Sequence, residues 1–198
     1  MIAIIDSGGA NIQSVRTALE KLGEQTVLTN DPEIIGRADS IILPGVGSAL
    51  KCRQSLDKAG ILPLMFELKT PVLGICIGMQ ILFDRLEEGP CSGLGLFSGT
   101  VERFTSQKGF PVPHMGWNQI KVLREDRLLE GLDEAWVYYT HSYKAPIVED
   151  GYTLASSQYS CEFSAVVKNE NWYGVQFHPE KSAEAGQRLL KNFLEVKK

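Results

Sequence analysis

The chain has 198 residues, 43% of them hydrophobic and 22% charged, with a formal net charge of −4. That size and apolar fraction suit one folded domain with a sizeable core, exclude a disordered chain, and leave no basic stripe for nucleic acid. The four cysteines, at 52, 76, 91 and 161, form no Cys-x-x-Cys pair, which disfavours a disulfide scaffold or zinc site. No basic leader precedes the first apolar run and no stretch is long enough to span a membrane, so a reduced, cytoplasmic protein is expected.

Met1 to Asp6 reads as a buried strand that turns through Ser7-Gly8-Gly9-Ala10 into a helix from about Asn11. Ile12, Val15, Leu19 and Leu22 share one face of that helix, and Gly23 ends it. A short strand from Gln25 to Leu28, a helical turn at Asp31-Pro32 and an apolar strand from Ser40 to Leu43 follow. Pro44-Gly45-Val46-Gly47 is a turn, and a helix is predicted from about Ser48 to Lys58. Val72 to Ile75 is the next strand, with helical spacing from Ile77 onward. Strand-like runs then occupy 100–104, 118–123, 135–140, 153–157, 163–168 and 172–177. A last helix runs from about Ala183 to Val196, capped by Ser182, with Leu189, Leu190, Phe193 and Leu194 on its core face. Alternating strands and helices predict an α/β domain spanning 1–198, built on a central mixed, largely parallel sheet flanked by helices.

Cys76 stands between Gly74 and Gly78, where an apolar strand meets a helix. This is the spacing of a nucleophile elbow with cysteine in place of serine. A helix N-terminus there favours the thiolate, although the same residue could serve as a small buried hydrophobe. Near the C-terminus, Tyr173-Gly174-Val175-Gln176-Phe177-His178-Pro179-Glu180 ends a strand with a histidine and an acid on one side of extended chain. Nucleophile, base and orienting carboxylate are thus supplied by Cys76, His178 and Glu180. By the elbow logic, the N–H of Ile77 is one oxyanion donor and the turn at Gly45, Val46 and Gly47 supplies a second. A flip of the Gly45-Val46 peptide would gate activity, unless these glycines merely fit a tight turn. No dinucleotide fingerprint, P-loop or zinc-deaminase motif is complete, and the three histidines lack metal-ligand spacing, so neither cofactor nor metal is expected.

Gly74-Ile75-Cys76-Ile77-Gly78-Met79-Gln80 together with His178-Pro179-Glu180 resembles the class I (triad-type) glutamine amidotransferases, which have a flavodoxin-like fold. Within that family, Pro44-Gly45-Val46-Gly47 and Pro113-His114-Met115-Gly116-Trp117-Asn118 resemble the HisH-type glutaminase subunits of imidazole glycerol phosphate synthase. The likeness runs from Ile5-Asp6 to Asn192-Phe193-Leu194, departing at Asp6 to Asn11. It implies that Cys76 forms a γ-glutamyl thioester with glutamine and that His178 and Glu180 move the protons. It further implies that Gln80 and Glu88 bind the glutamine head group, Glu88 at the α-ammonium, and that the backbone of Ser142 and Tyr143 meets the α-carboxylate. The implied partner is the HisF-type cyclase subunit of the synthase. That (βα)₈ barrel would form a heterodimer with this chain and receive its ammonia to make imidazole glycerol phosphate in histidine biosynthesis. Met115, Trp117, Asn118 and Lys181 are the implied docking residues, with Asn11 and Gln13 weaker candidates. From the residues alone, Glu88 could be a solvated acid beside Glu87, Trp117 a core residue, and His141 a structural one. A stand-alone γ-glutamyl cysteine hydrolase, a non-catalytic binding module and the glutaminase of another amidotransferase are the competing readings.

Overall fold

The computed structural model describes residues 1–7, 12–45, 47–89, 92–148 and 151–196. The first half alternates: β1 (Ile2–Ile5), α1 (Ile12–Lys21), β2 (Thr26–Thr29), α2 (Pro32–Gly36), β3 (Ser40–Gly45), α3 (Ala49–Lys58), α4 (Leu62–Glu67), β4 (Val72–Cys76) and α5 (Ile77–Gln80). The second half is mostly strand: β5 (Phe83–Leu86), β6 (Phe97–Arg103), β7 (His114–Gln119), β8 (Lys121–Val122), β9 (Trp136–His141), β10 (Tyr143–Lys144), β11 (Thr153–Gln158), β12 (Glu162–Asn169) and β13 (Trp172–Val175), closed by α6 (Ala183–Glu195). An eight-stranded sheet runs β2-β1-β3-β4-β13-β12-β11-β8. It is parallel from β2 through β13 and antiparallel beyond. Smaller sheets, β10-β6-β5 and β7-β9, stand beside it.

The pattern of side chains explains the layering. Every residue of β1, β3, β4 and β13 is buried, as expected where helices cover both faces of a parallel sheet. Each fully buried Ile or Leu there stabilises the fold by roughly 1.5–3 kcal/mol relative to its exposed state. The parallel register sets Gly45 of β3 opposite Cys76 of β4 and Val175 of β13 opposite Ile75. The ends of these three strands therefore lie side by side, at the carboxyl edge where open α/β sheets carry their ligands.

Several sequence expectations shift. The helix after Cys76 stops at Gln80 and gives way to β5. Its would-be helical carbonyls are taken by a later segment: Leu94 N donates to Ile81 O at 2.6 Å and Leu96 N to Leu82 O at 2.8 Å. The run expected at 118–123 is two strands, β7 beginning at His114 and β8 covering only Lys121–Val122. Helix α4 and strand β5 were not foreseen. Ser182 precedes α6 but does not cap it through its side chain. Its Oγ instead accepts from Tyr138 N at 2.9 Å and donates to His178 O at 2.7 Å, tying the histidine's turn to β9.

The tightest packing lies at the elbow. A Cβ on Gly78 would sit 1.9 Å from Leu43 O, so any side chain there drives α5 off β3. Gly78→Ala is expected to cost about 3 kcal/mol or more, read as a shifted urea midpoint. A variant of wild-type stability would contradict this packing.

Candidate active site

Cys76 is the last residue of β4 and the pivot into α5, with φ 55 and ψ −107. A positive φ on a side chain other than glycine is strained, and the surroundings must hold it. They do so by close approach: a Cβ on Gly74 would meet Gly78 O at 2.5 Å. Cys76 is only 4% exposed. Gln176, the residue after β13, donates from Nε2 to the Cys76 sulfur at 3.7 Å. Its orientation is set by Gln80, whose Nε2 donates both to Gln176 Oε1 and to Tyr143 O, each at 3.0 Å. With Gln176 Oε1 taken, its amino end is the one that faces sulfur. Nothing local in the sequence singled out Gln176; the only signal was its place two residues before His178.

His178 and Glu180 are joined by Nδ1 to Oε1 at 2.7 Å, with side chains 1% and 0% exposed. Extended chain is not what brings them together, since Pro179–Lys181 forms a 3-10 turn that carries the carboxylate back onto the ring. Burial pulls the His178 pKa down. Hydrogen bonds to Cys76 and Glu180, with the charges of both, outweigh it and raise the pKa well above the ordinary histidine value. Nδ1 is committed to Glu180, so the Cys76 contact falls to Nε2. The arrangement favours an imidazolium at His178, held by a buried carboxylate.

A cavity of about 310 Å³ opens onto this group, lined by Gly47, Cys76, Ile77, Gln80, Glu88, Pro113, Thr140, His141, Ser142, Tyr143 and His178. That is the lower end of small-molecule sites, roughly 300–1,000 Å³. Two broader surface grooves, along 122–133 and along α6, contain neither cysteine nor histidine. Among the described residues no cluster of His, Cys, Asp and Glu could hold a metal ion. Ser142 and Tyr143 line the wall. Glu88 is not a solvated acid: its Oε2 accepts from Ala49 N at 2.5 Å, at the start of α3. Glu87 is engaged as well, accepting from Arg103 N at 2.5 Å.

The glycine turn differs from its sequence reading. Gly45 is needed for space rather than rotation, because a Cβ would lie 2.6 Å from both Gly78 N and Ile77 Cβ. The freely turning residue is Gly47, with φ +99 and nothing within 4 Å of a would-be Cβ. Val46 and Asn11 lie outside the described residues.

The profile of the glutamine amidotransferase class-I family matches residues 3–196. The chain belongs to the class-I glutamine amidotransferase family. A relative from Xanthomonas axonopodis pv. citri (strain 306), imidazole glycerol phosphate synthase subunit HisH, is 46% identical over 98% of this chain and 97% of its own. The HisH 2 subunit of Legionella pneumophila (strain Paris) is 45% identical over 99% and 98%. Among solved structures, a glutamine amidotransferase superposes with a TM-score of 0.74 at 19% identity, covering 98% of this chain and 97% of that one. PurLQS from Thermotoga maritima superposes with a TM-score of 0.68 at 21% identity, covering 100% of this chain and 98% of that one. At those identities the likeness speaks to the α/β amidotransferase fold alone.

Beside the cavity mouth, the outer face of the β7–β9 sheet of this amidotransferase carries Met115 and Trp117, 63% and 50% exposed. Trp117 is therefore not a core residue. Register pairs it with Tyr138 and sets Trp136, 54% exposed and unforeseen, opposite Gln119 on the same face. The exposed Lys181 reaches over the Tyr138 ring at 5.9 Å. Asn118 has less to offer a partner, for it donates to Gln158 O and accepts from Gln119 N, each at 2.8 Å. Gln13 is exposed on α1 and within reach of Thr17. His141 is structural, as expected: its Nδ1 bonds Tyr143 O at 2.7 Å and its Nε2 meets His114 Nδ1 at 2.9 Å. Burial lowers the His141 pKa to about 3, helped by His114 and His178 and opposed by the Tyr143 carbonyl, so at neutral pH its ring is uncharged.

Glu180→Gln removes a charge and weakens the hydrogen bond that favours imidazolium. The His178 pKa is expected to fall by about one unit or more, read from ¹⁵N imidazole shifts in an NMR titration. An unchanged midpoint would contradict the pairing.

Proposed function

We propose that this chain is the glutaminase subunit of an imidazole glycerol phosphate synthase, hydrolysing glutamine and passing ammonia to a cyclase subunit. The full-length likeness to HisH subunits supports the reading, and the meeting of Cys76 and His178 on one small cavity, with Glu180 bonded to the imidazole, is the observation that carries it. In this reading the Cys76 thiolate attacks Cδ of the glutamine side chain. The tetrahedral oxyanion collapses, the C–N bond breaks, and the His178 imidazolium gives its proton to the leaving ammonia. Water then attacks the γ-glutamyl thioester; neutral His178 takes the water's proton, and glutamate and the thiolate are released. Glu180 holds the ring through Nδ1 and stabilises its charge. Gln176 steadies the sulfur. Glu88 meets the α-ammonium, and the 142–143 backbone the α-carboxylate.

The oxyanion donors in this account are the Ile77 N–H and an N–H of the 45–47 turn. A missing donor costs on the order of 10²–10³-fold in rate. A turn with its N–H facing away would keep the isolated chain nearly silent. Gly47 is the hinge such a change requires. The exposed Met115–Trp117–Trp136–Tyr138 face, with Lys181 at its edge, is the docking surface for a (βα)₈-barrel cyclase in a heterodimer. Aromatic side chains beside a site mouth are the usual anchors of such contacts. Docking there would shield the cavity, and shielding is needed because ammonia released into neutral water becomes ammonium and loses its nucleophilic lone pair.

The test is glutamate release by the purified chain, alone and with the cyclase and its ribotide ligand. Near silence alone, with activation of 10²-fold or more in the complex and none in Cys76→Ala, is expected. Equal activity in both conditions would favour a stand-alone γ-glutamyl hydrolase instead.

A further inference from the structure

The run from Pro113 to Asn118 holds a buried histidine that the chemistry above leaves unused. His114 is 3% exposed, and its ring stacks on both Tyr139 and Tyr159, with centroids 4.8 and 4.0 Å away. A phenylalanine would stack there as well, so packing alone gives no reason for an imidazole. The polar reason is its neighbour across the β7–β9 ladder. His114 Nδ1 lies 2.9 Å from His141 Nε2, and His141 Nδ1 lies 2.7 Å from Tyr143 O. A carbonyl only accepts, so His141 carries its proton on Nδ1. Burial lowers the His114 pKa to about 4, and His141 is neutral as well, which leaves His141 Nε2 a bare acceptor. His114 must then donate from Nδ1. One backbone carbonyl thus fixes the tautomers of two buried rings.

That carbonyl belongs to the cavity wall, where Tyr143 stands beside Ser142 and His141. It also accepts from Gln80 Nε2 at 3.0 Å, and the Ser142 carbonyl accepts from Phe104 N at 2.9 Å. A trans peptide points its N–H opposite its carbonyl, so the Tyr143 N–H faces away from Phe104. Both peptides of the 142–144 segment are therefore held through their carbonyls.

We propose that His114 and His141 are positioning residues for the substrate's carboxylate, their hydrogen-bonded pair fixing the Tyr143 peptide and the wall that meets that group. The inference rests on the glutaminase reading above. Deprived of its donor, His141 either keeps a bare buried acceptor or moves its proton to Nε2 and turns a lone pair on Tyr143 O. The segment then loses a restraint and the carboxylate its fixed contacts. Cys76 and His178 keep their places, since they are held at the ends of β4 and β13.

Two substitutions separate positioning from packing. His114→Phe keeps the stacked ring and loses the donor, whereas His114→Asn keeps an N–H near the Nδ1 position and loses the ring. Both are assayed in the complex with the cyclase and its ligand, with thermal unfolding to verify folding. The substrates are glutamine and 4-aminobutanamide, which is glutamine without its α-carboxylate. For His114→Phe the expectation is a KM for glutamine about tenfold above wild type with kcat within about threefold, the mark of lost binding rather than lost chemistry. Its kcat/KM on 4-aminobutanamide is expected to stay within about threefold of wild type. His114→Asn should retain more of the preference for glutamine over the analogue than His114→Phe does. A folded His114→Phe with the wild-type preference overturns the proposal, and so does a His114→Asn that retains less of it. If His114→Phe does not fold, the wild-type chain decides. With three histidines in the sequence, two-bond ¹H–¹⁵N spectra at pH 7 assign each tautomer. The proposal expects His114 and His141 both neutral and protonated at Nδ1; a His141 protonated at Nε2 overturns it. A wild-type complex that leaves glutamine intact fails the glutaminase reading, whereas a failed comparison among active variants fails this proposal alone.

Discussion

The site depends on a steric constraint: three backbone segments pass so close at Cys76 that no side chain fits between them. β3, β4 and α5 meet where Gly45, Gly74 and Gly78 each leave less than 3 Å for a Cβ. That crowding holds Cys76 at φ 55, a conformation the isolated chain would avoid. The strain is offset by the buried strands on either side, whose apolar residues make the sheet too rigid to relax. A nucleophile needs this rigidity, because small misplacements of reacting atoms cost large factors in rate.

Sheet topology assembles the rest. β13 is the parallel neighbour of β4 on the side away from β3, so Gln176 and His178 emerge beside the sulfur although about 100 residues separate them from it in sequence. The 3-10 turn at Pro179–Lys181 brings Glu180 onto the imidazole. Ser182 clamps that turn to β9, the strand that also leads into Ser142 and Tyr143. Base, acid and cavity wall are thus referred to one frame, and Gln80 joins them by bonding both the wall and Gln176. β7 and β9 extend the same wall outward as an exposed aromatic face, so a partner docked there would touch the strand that positions the triad.

Much of this could be read from residues. The elbow was legible because glycines flanking a cysteine after an apolar run are a local signal, and the first half of the fold because short apolar runs and period-3.6 patterns alternate there. The second half was less so: β7 and β8 were merged, and α5 was drawn too long, because carbonyls of Ile81 and Leu82 find partners from residues 94–97 that no local pattern announces. The crowding at Gly45 was hidden for the same reason, since it comes from a tertiary contact with Ile77 and Gly78. Gln176 and Trp136 escaped altogether: a buried amide and an exposed aromatic take their meaning from neighbours far away in the chain. Glu88 was found through likeness to a family, and its bond to Ala49 could come only from coordinates.

The account's central claim is that Cys76 carries the acyl group. The measurement that tests it most directly is rapid acid quench of the activated complex during glutamine turnover, followed by peptide mass mapping. The account predicts a γ-glutamyl adduct on the peptide containing Cys76 that vanishes in Cys76→Ser. Glutamine turnover with no adduct at Cys76, or with an adduct at another residue, would contradict it.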